Sequence, residues 1–338
     1  MARALIAPDS FKGTFDALTV AGALARGLQR AGWEADRCPV ADGGEGTMAL
    51  LARALGGRLV EARASDPLGR PVDCRFALAG ETAIVEMAQA SGMARVADHE
   101  RDAWAASTRG TGELILAAVA AGAREILVAV GGSATTDGGR GAIDAIAAGG
   151  GLGATRLAVL CDVECPFEDA ARVFGPQKGA DTALVARLED RLATLAGELP
   201  RDPRGVPATG AAGGLSGGLW AAFDAELRPG APAVLDALGV DERMRAAQLV
   251  VAGEGRIDEQ SFGGKIVGEL ARRARAAGVA LHVVAGCCEL AREQWASVGI
   301  ERVWTASTLA EIEAAGLALG ETVDSGVARA RARGVHRR

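Results

Sequence analysis

The chain of 338 residues has no tyrosine and only three histidines, His99, His282 and His336. Three widely separated imidazoles exclude a metal motif such as H-E-x-x-H and turn the search for a general base toward carboxylates and lysines. Six cysteines, at 38, 74, 161, 165, 287 and 288, form no C-x-x-C pair. Zinc ribbons and thioredoxin-like motifs therefore find no support, and reduced thiols in a cytoplasmic protein are the simplest account. No uninterrupted apolar run reaches the roughly 18 residues of a membrane span. The start, Met1–Ile6, runs at once into an acidic turn, too soon for a secretory signal. A net charge of −6 argues against a general nucleic-acid binder. The phosphate loop G-x-x-x-x-G-K-[ST] is absent too. Gly263-Gly264-Lys265 lacks the first glycine and is followed by Ile266.

Glycine is abundant instead, 47 residues, about twice the usual ~7%. It has no G-X-Y period, so a collagen-like helix is excluded. The glycines gather at 42–47, 131–141, 175–179, 210–218 and 253–264, most of them directly after an apolar run. Around them the chain reads as alternating strands and helices. Ala4–Ala7 is a strand, Asp16 an N-cap, and Val20, Leu24 and Leu28 mark one face of a helix that Gly32 ends. Cys38-Pro39-Val40 lies in a second strand-like segment, and a helix through Leu50, Leu51 and Leu55 follows. Val72–Leu78 and Thr82–Glu86 succeed each other without a helix, which favours a hairpin. Helix 113–121 and strand 126–130 restore the rhythm. Residues 181–200 form a surface helix with Leu184, Leu188, Leu192 and Leu195 on one side, and 201–218 read as a loop. A strand at 249–252, a glycine turn, helix 265–277 and strands 281–285 and 302–304 follow.

This β-α order predicts an α/β protein with a parallel sheet. The first and last segments share the rhythm, so residues 1–64 and 247–338 are expected to form a discontinuous Rossmann-like domain, with a second α/β domain, 65–246, inserted. Two consecutive domains split near 150 are the alternative.

Glycine turns at strand ends let backbone N–H groups approach an anion, and helix N-termini favour negative charge there. The pattern fits a phosphate-bearing ligand in the crevice at the strand ends. Asp42, Glu45, Asp137, Asp162, Glu254 and Asp258 fall at or just past strand ends. Carboxylates near phosphates suit Mg²⁺, and one could accept a proton from a substrate hydroxyl. Lysine is scarce, yet Lys12, Lys178 and Lys265 each adjoin a glycine, where they could neutralise phosphate or a substrate carboxylate. Plain turn or cap roles compete for Asp9, Asp16 and Asp258. A dinucleotide pattern, Gly44, Gly46 and Ala49 with Asp66 farther on, leaves an NAD-dependent dehydrogenase open, although Glu45 would point a negative charge at the pyrophosphate.

Eight ordered blocks carry a more specific signal. Ala7–Gly13 (APDSFKG), Ala41–Thr47 (ADGGEGT), Glu86–Gly92 (EMAQASG), Gly110–Ile115 (GTGELI), Gly131–Gly139 (GGSATTDGG), Phe174–Ala180 (FGPQKGA), Gly210–Gly214 (GAAGG) and Gly253–Asp258 (GEGRID) resemble the bacterial class I glycerate kinases. The likeness runs from about residue 3 to 290 and departs after Cys161-Asp162-Val163, where this chain is shorter. It implies ATP-dependent phosphorylation of D-glycerate, usually to 2-phosphoglycerate, by a two-domain protein with its active site in the interdomain cleft. On that basis Ser10 and Lys12 are expected to meet the substrate or the transferring phosphoryl group. Asp42 is the first candidate for the base, Asp137 its competitor, and Asp162 a further substrate contact. Gly131, Gly132, Ser133, Thr135 and Thr136, with Lys178, are expected to cradle ATP, and Glu254 and Asp258 to hold Mg²⁺. A kinase for another small hydroxy acid and a non-catalytic nucleotide binder are the rivals.

Overall fold

The computed structural model describes residues 2–11 and 13–335, with side chains up to 323 apart from Gln260. Strands among the described residues are β1 (Arg3–Pro8), β2 (Glu34–Arg37), β3 (Arg58–Ser65), β4 (Pro71–Ala79), β5 (Thr82–Glu86), β6 (Glu125–Ala129), β7 (Arg156–Cys161), β8 (Glu226–Pro229), β9 (Leu249–Ile257), β10 (Ala280–Cys288) and β11 (Ile300–Thr305). Internal packing divides the chain into two units, Met1–Asp42 with Leu235–Arg338, and Gly43–Val234. Expectation had put these junctions at 64/65 and 246/247. The earlier first junction has a physical reason: β3 pairs with β4 along its whole length, from Arg58↔Leu78 to Ser65↔Pro71.

The first unit is a five-stranded parallel sheet in the order β11-β10-β9-β1-β2. The order reverses between β1 and β9, which makes their carboxyl ends the switch point where open α/β sheets bind ligands. Side chains alternate along each strand. Ala4, Ile6, Leu249, Val251 and Val284 pack on the helices Ala17–Arg30 and Leu309–Val335. Asp16 caps the former, accepting from Thr19 N at 2.7 Å, and Val20, Leu24 and Leu28 are fully buried. Strand β9 continues through Gly253, Glu254 and Gly255, where a turn was expected. Gly253 pairs with both Pro8 of β1 and Val284 of β10, and β10 carries the ladder on past it, which overcomes the low strand propensity of glycine.

The second unit has a six-stranded mixed sheet, β3-β4-β5-β6-β7-β8. The expected hairpin is present, β4 and β5 pairing antiparallel from Ala77↔Ile84 to Ala79↔Thr82. Strands β5 to β8 are parallel. The core gathers Phe76, Val85, Leu114, Ile126, Val159 and Leu215. A smaller core forms where Leu188, Leu192 and Leu195 of the helix Thr182–Glu198 meet Phe167. Residues 211–218, expected as part of a loop, belong to the helix Ala211–Phe223, whose first turn is left-handed at Ala212, Gly213 and Gly214. The 175–179 glycines follow the helix Ala170–Phe174 rather than a strand. No described helix is long and apolar enough to cross a membrane.

The helices Ala17–Arg30 and Leu309–Val335 touch backbone to backbone. A Cβ on Gly27 would run into the Glu313 carbonyl oxygen, and one on Gly316 would lie 2.7 Å from the Leu24 carbonyl oxygen. Gly27→Ala should therefore cost about 1–3 kcal/mol, the range for an overfilled core. Gly22→Ala, with only the Arg26 guanidinium at 3.7 Å, should be neutral or slightly stabilising. Urea denaturation of the two variants checks the contrast; equal midpoints would contradict it.

Candidate active site

In the first unit the expected residues gather at the switch point. Asp9 N donates to the Gly253 carbonyl at 2.8 Å, so Asp9 and Ser10 leave β1 beside Gly253 and Glu254. Asp9 is 6% exposed and accepts from Ser10 N at 2.6 Å. Cys38 and Val40 donate backbone N–H groups to Ile6 and Pro8, which carries the chain along β1 to Asp42. That stretch was expected to be strand, but β2 itself stops at Arg37. Asp42 is 5% exposed and closes the unit. Lys12 lies outside the described residues.

Glu254 sits inside β9, while Asp258 follows its end. Asp258 accepts from Ser261 N at 3.2 Å, a cap on the turn Glu259–Phe262. Among the described residues no cluster of three acidic, His or Cys side chains forms a metal cage. Mg²⁺ bound beside nucleotide phosphates commonly takes only one or two carboxylates, so Glu254 alone fits that donor pattern.

In the second unit three segments converge at the carboxyl ends of β5, β6 and β7. A Cβ on Gly131 would lie 2.5 Å from Gly44 Cα, and one on Gly43 would lie 3.3 Å from the Leu160 carbonyl oxygen. Ser133 bridges Gly92, and Met93 N donates to the Gly132 carbonyl at 2.8 Å. Asp162 follows the end of β7. The structure thus brings together Gly131, Gly132 and Ser133 with the segment after Asp42.

Asp137 is 1% exposed. Its Oδ2 accepts from Thr108 N (2.8 Å), Thr108 Oγ1 (2.9 Å) and Gly141 N (3.2 Å), and its Oδ1 from Gly139 N (3.2 Å). With its lone pairs taken, it ties the starts of the helices Arg109–Ala120 and Arg140–Ala148 together and has little capacity to accept a substrate proton. Thr135 and Thr136 are fully buried, and their hydroxyls have no hydrogen-bond partner among the described residues. Ser133 retains a partly accessible surface.

Lys178 is 2% exposed and donates to Ser133 Oγ at 2.8 Å and to the Thr135 carbonyl at 2.5 Å. Burial lowers its pKa to about 7, against the pull of the Asp137 charge. It clips the glycine turn from within.

Glu86, at the end of β5, has a larger part than its position in a sequence block suggested. It is 4% exposed, accepts from Met48 N at 2.8 Å and also takes the Gly46 N–H. A carboxylate therefore occupies the N-terminus of the helix Thr47–Ala54, where the dinucleotide reading needs a pyrophosphate. Asp66, its expected ribose partner, is taken by Leu68 N, Arg70 N and the Arg70 guanidinium. The dehydrogenase alternative loses both of its anchors. A cavity of about 460 Å³ touches this region through Asp137. Of its arginines, Arg140 is held by Asp144 and Glu198, and Arg187 and Arg191 stack on Trp104.

Acids and backbone donors at the carboxyl ends of parallel strands, in a two-unit α/β chain, define a class of small-molecule enzymes that act on anionic ligands. The glycerate kinase family model matches residues 4–151 and 149–322. The glycerate 2-kinase of Escherichia coli K12 is 38% identical over 301 residues, 78% of this chain and 79% of that one. A glycerate kinase of Halalkalibacterium halodurans is 37% identical over 321 residues, 83% and 84% of the two chains. The crystal structure of a Salmonella typhimurium LT2 protein assigned as glycerate kinase 2 superposes with a TM-score of 0.82 at 33% identity, covering 96% of this chain and 99% of that one. The chain belongs to the glycerate kinase family.

The buried lysine makes a pH prediction. In the unfolded chain a lysine holds its proton to about 10.4, while folded Lys178 releases it near 7. Between those values the unfolded state binds the extra proton, so Lys178 makes stability rise with pH across that window. Lys178→Met should flatten this rise. Urea midpoints from pH 6 to 10 check it, and parallel curves for the two proteins would contradict it.

Proposed function

We propose that the protein transfers the γ-phosphoryl group of ATP to the 2-hydroxyl of D-glycerate, giving 2-phosphoglycerate and ADP. The observation that carries this reading is the convergence of family membership with Asp9, Ser10 and Glu254 at the switch point of the parallel sheet. Phosphoryl transfer needs little covalent help from a protein and much positioning and charge compensation.

Asp42 accepts the hydroxyl proton. It is the buried acid that follows the β1 extension, whereas Asp137 is consumed by N–H donors. Ser10 and Lys12 bind the substrate, Lys12 meeting its carboxylate or the transferring phosphoryl group, and Asp162 is a further substrate contact. The turn Gly131–Ser133 offers backbone donors to the nucleotide phosphates, and Lys178 keeps that turn in shape. Mg²⁺, held by Glu254 with phosphate oxygens, would neutralise charge on the phosphates. Asp258 serves the turn after β9 instead.

Incubation with ATP, Mg²⁺ and D-glycerate, followed by phosphorus and carbon NMR, tests the reaction. The expected product is 2-phosphoglycerate. Phosphorylation at the 3-hydroxyl would overturn the regiochemistry, and faster ADP release with tartronate, lactate or glycolate would overturn the substrate. Asp42→Asn should lower kcat by about 10²–10⁴-fold, the range for a lost general base, with the circular dichroism unchanged. A near-normal kcat would remove Asp42 from that role.

A further inference from the structure

We propose that Glu86 is a positioning residue for this phosphoryl transfer, holding the segment directly after Asp42 in place through the backbone N–H groups of Gly46 and Met48. The inference rests on the function proposed above for its catalytic half, and on geometry alone for its anchoring half.

The segment needs an anchor from outside itself. Residues 43–46 read Gly-Gly-Glu-Gly, and Gly43 and Gly46 adopt φ of 95° and 94°. Such a stretch loses more backbone entropy on ordering than any other composition. The helix Thr47–Ala54 that follows has Gly46 as its N-cap and no capping side chain of its own. Thr47 N reaches the Gly44 carbonyl at 3.3 Å, but without an outside acceptor the Met48 N–H, an orphan donor of the first turn, would be left without a partner. Glu86 supplies the acceptor from another element, 38 residues away in sequence. The fit is tight on the other side as well. Gly131 has no room for a Cβ beside Gly44, and Gly43 has little beside Leu160 and Gly230. The carboxylate thus pulls the segment down onto the ends of β6 and β7.

A buried charge is a costly way to cap a short helix unless its placement matters. The groups that face Glu86 are the Gly46 and Met48 N–H donors, the Gln89 side chain and the Glu45 carboxylate. Among the described residues these neighbours include no arginine or lysine. Burial, with a smaller push from Glu45, raises its pKa above the usual carboxylate value. Protonation removes acceptor capacity while most surface carboxylates are still ionised. The segment then loosens in a protein that is still folded. Below that point the acid before it, Asp42, loses its fixed placement.

Two measurements decide the proposal. The first needs no variant. Amide hydrogen exchange of the wild-type protein, corrected for intrinsic rates, should show protection at Gly46 and Met48 that falls as pH drops from 7 toward 5, with the β5–β6 ladder unchanged. Protection at these amides that does not vary with pH would overturn the anchoring. The second compares wild type and Glu86→Gln in ATP and D-glycerate turnover. The variant should lose 10- to 100-fold in kcat with little change in KM, and its acid limb should move to lower pH. A merely structural contact would leave the acid limb where it is; an unchanged kcat and limb would overturn the positioning role. If wild type makes no phosphoglycerate, the function proposed above fails and takes the catalytic half with it. The exchange result still decides the anchoring half.

Discussion

The carboxylate of Asp137 is the constraint on which the second unit's glycine turn depends. Donors from two helix starts end on its two oxygens, and it is almost wholly removed from water. Charge-assisted hydrogen bonds of this kind contribute about 1.5–3 kcal/mol each, and a buried donor left without a partner is costly. The helix dipoles add to the same attraction. A turn made of Gly131, Gly132, Gly138 and Gly139 would otherwise sample many conformations. Asp137 ties its far end and Lys178 its middle, so Gly131 can rest against Gly44 with no space for a methyl group.

A common pattern links the two sheets. Each places acids and glycines at the carboxyl ends of its parallel strands, and backbone donors end on three of these acids. Asp9 takes the N–H of Ser10, Glu86 those of Gly46 and Met48, and Asp137 those of Thr108, Gly139 and Gly141. The chain's many arginines serve elsewhere, in exposed pairs such as Arg140 with Glu198 and in the Arg273–Glu269 pair.

Much of the fold was legible from local chemistry. The cap at Asp16, the leucine face of Thr182–Glu198 and the β4–β5 hairpin each follow from a period or a turn within a dozen residues. The parts that were not legible depend on distant partners. β3 is an edge strand whose core-facing stripe is only Val60, Ala62 and Ala64, short side chains alternating with exposed charged ones, so its apolar signal is weak. β9 runs through two glycines because β1 and β10 both pair with it at Gly253 and β10 carries the ladder on to Ile257. At the site, glycine clusters located the turns but not the roles. In sequence Asp137 reads as a possible base, but in the fold hydrogen-bond donors occupy both of its oxygens, and Lys178, which reads as a ligand contact, is buried. Glu86 left one trace in the sequence, a charge ending the apolar run Ala83-Ile84-Val85. Its partners, at 46 and 48, lie too far along the chain for spacing to reveal.

The claim that Asp137 anchors the turn rather than reacts is tested most directly by amide exchange of Asp137→Asn. The asparagine keeps one acceptor oxygen and sets an NH₂ group against the remaining donors. Protection should fall together at Thr108, Gly139 and Gly141, at both helix starts, while the β5–β6–β7 ladder keeps its own. Unchanged protection at all three amides would contradict the account.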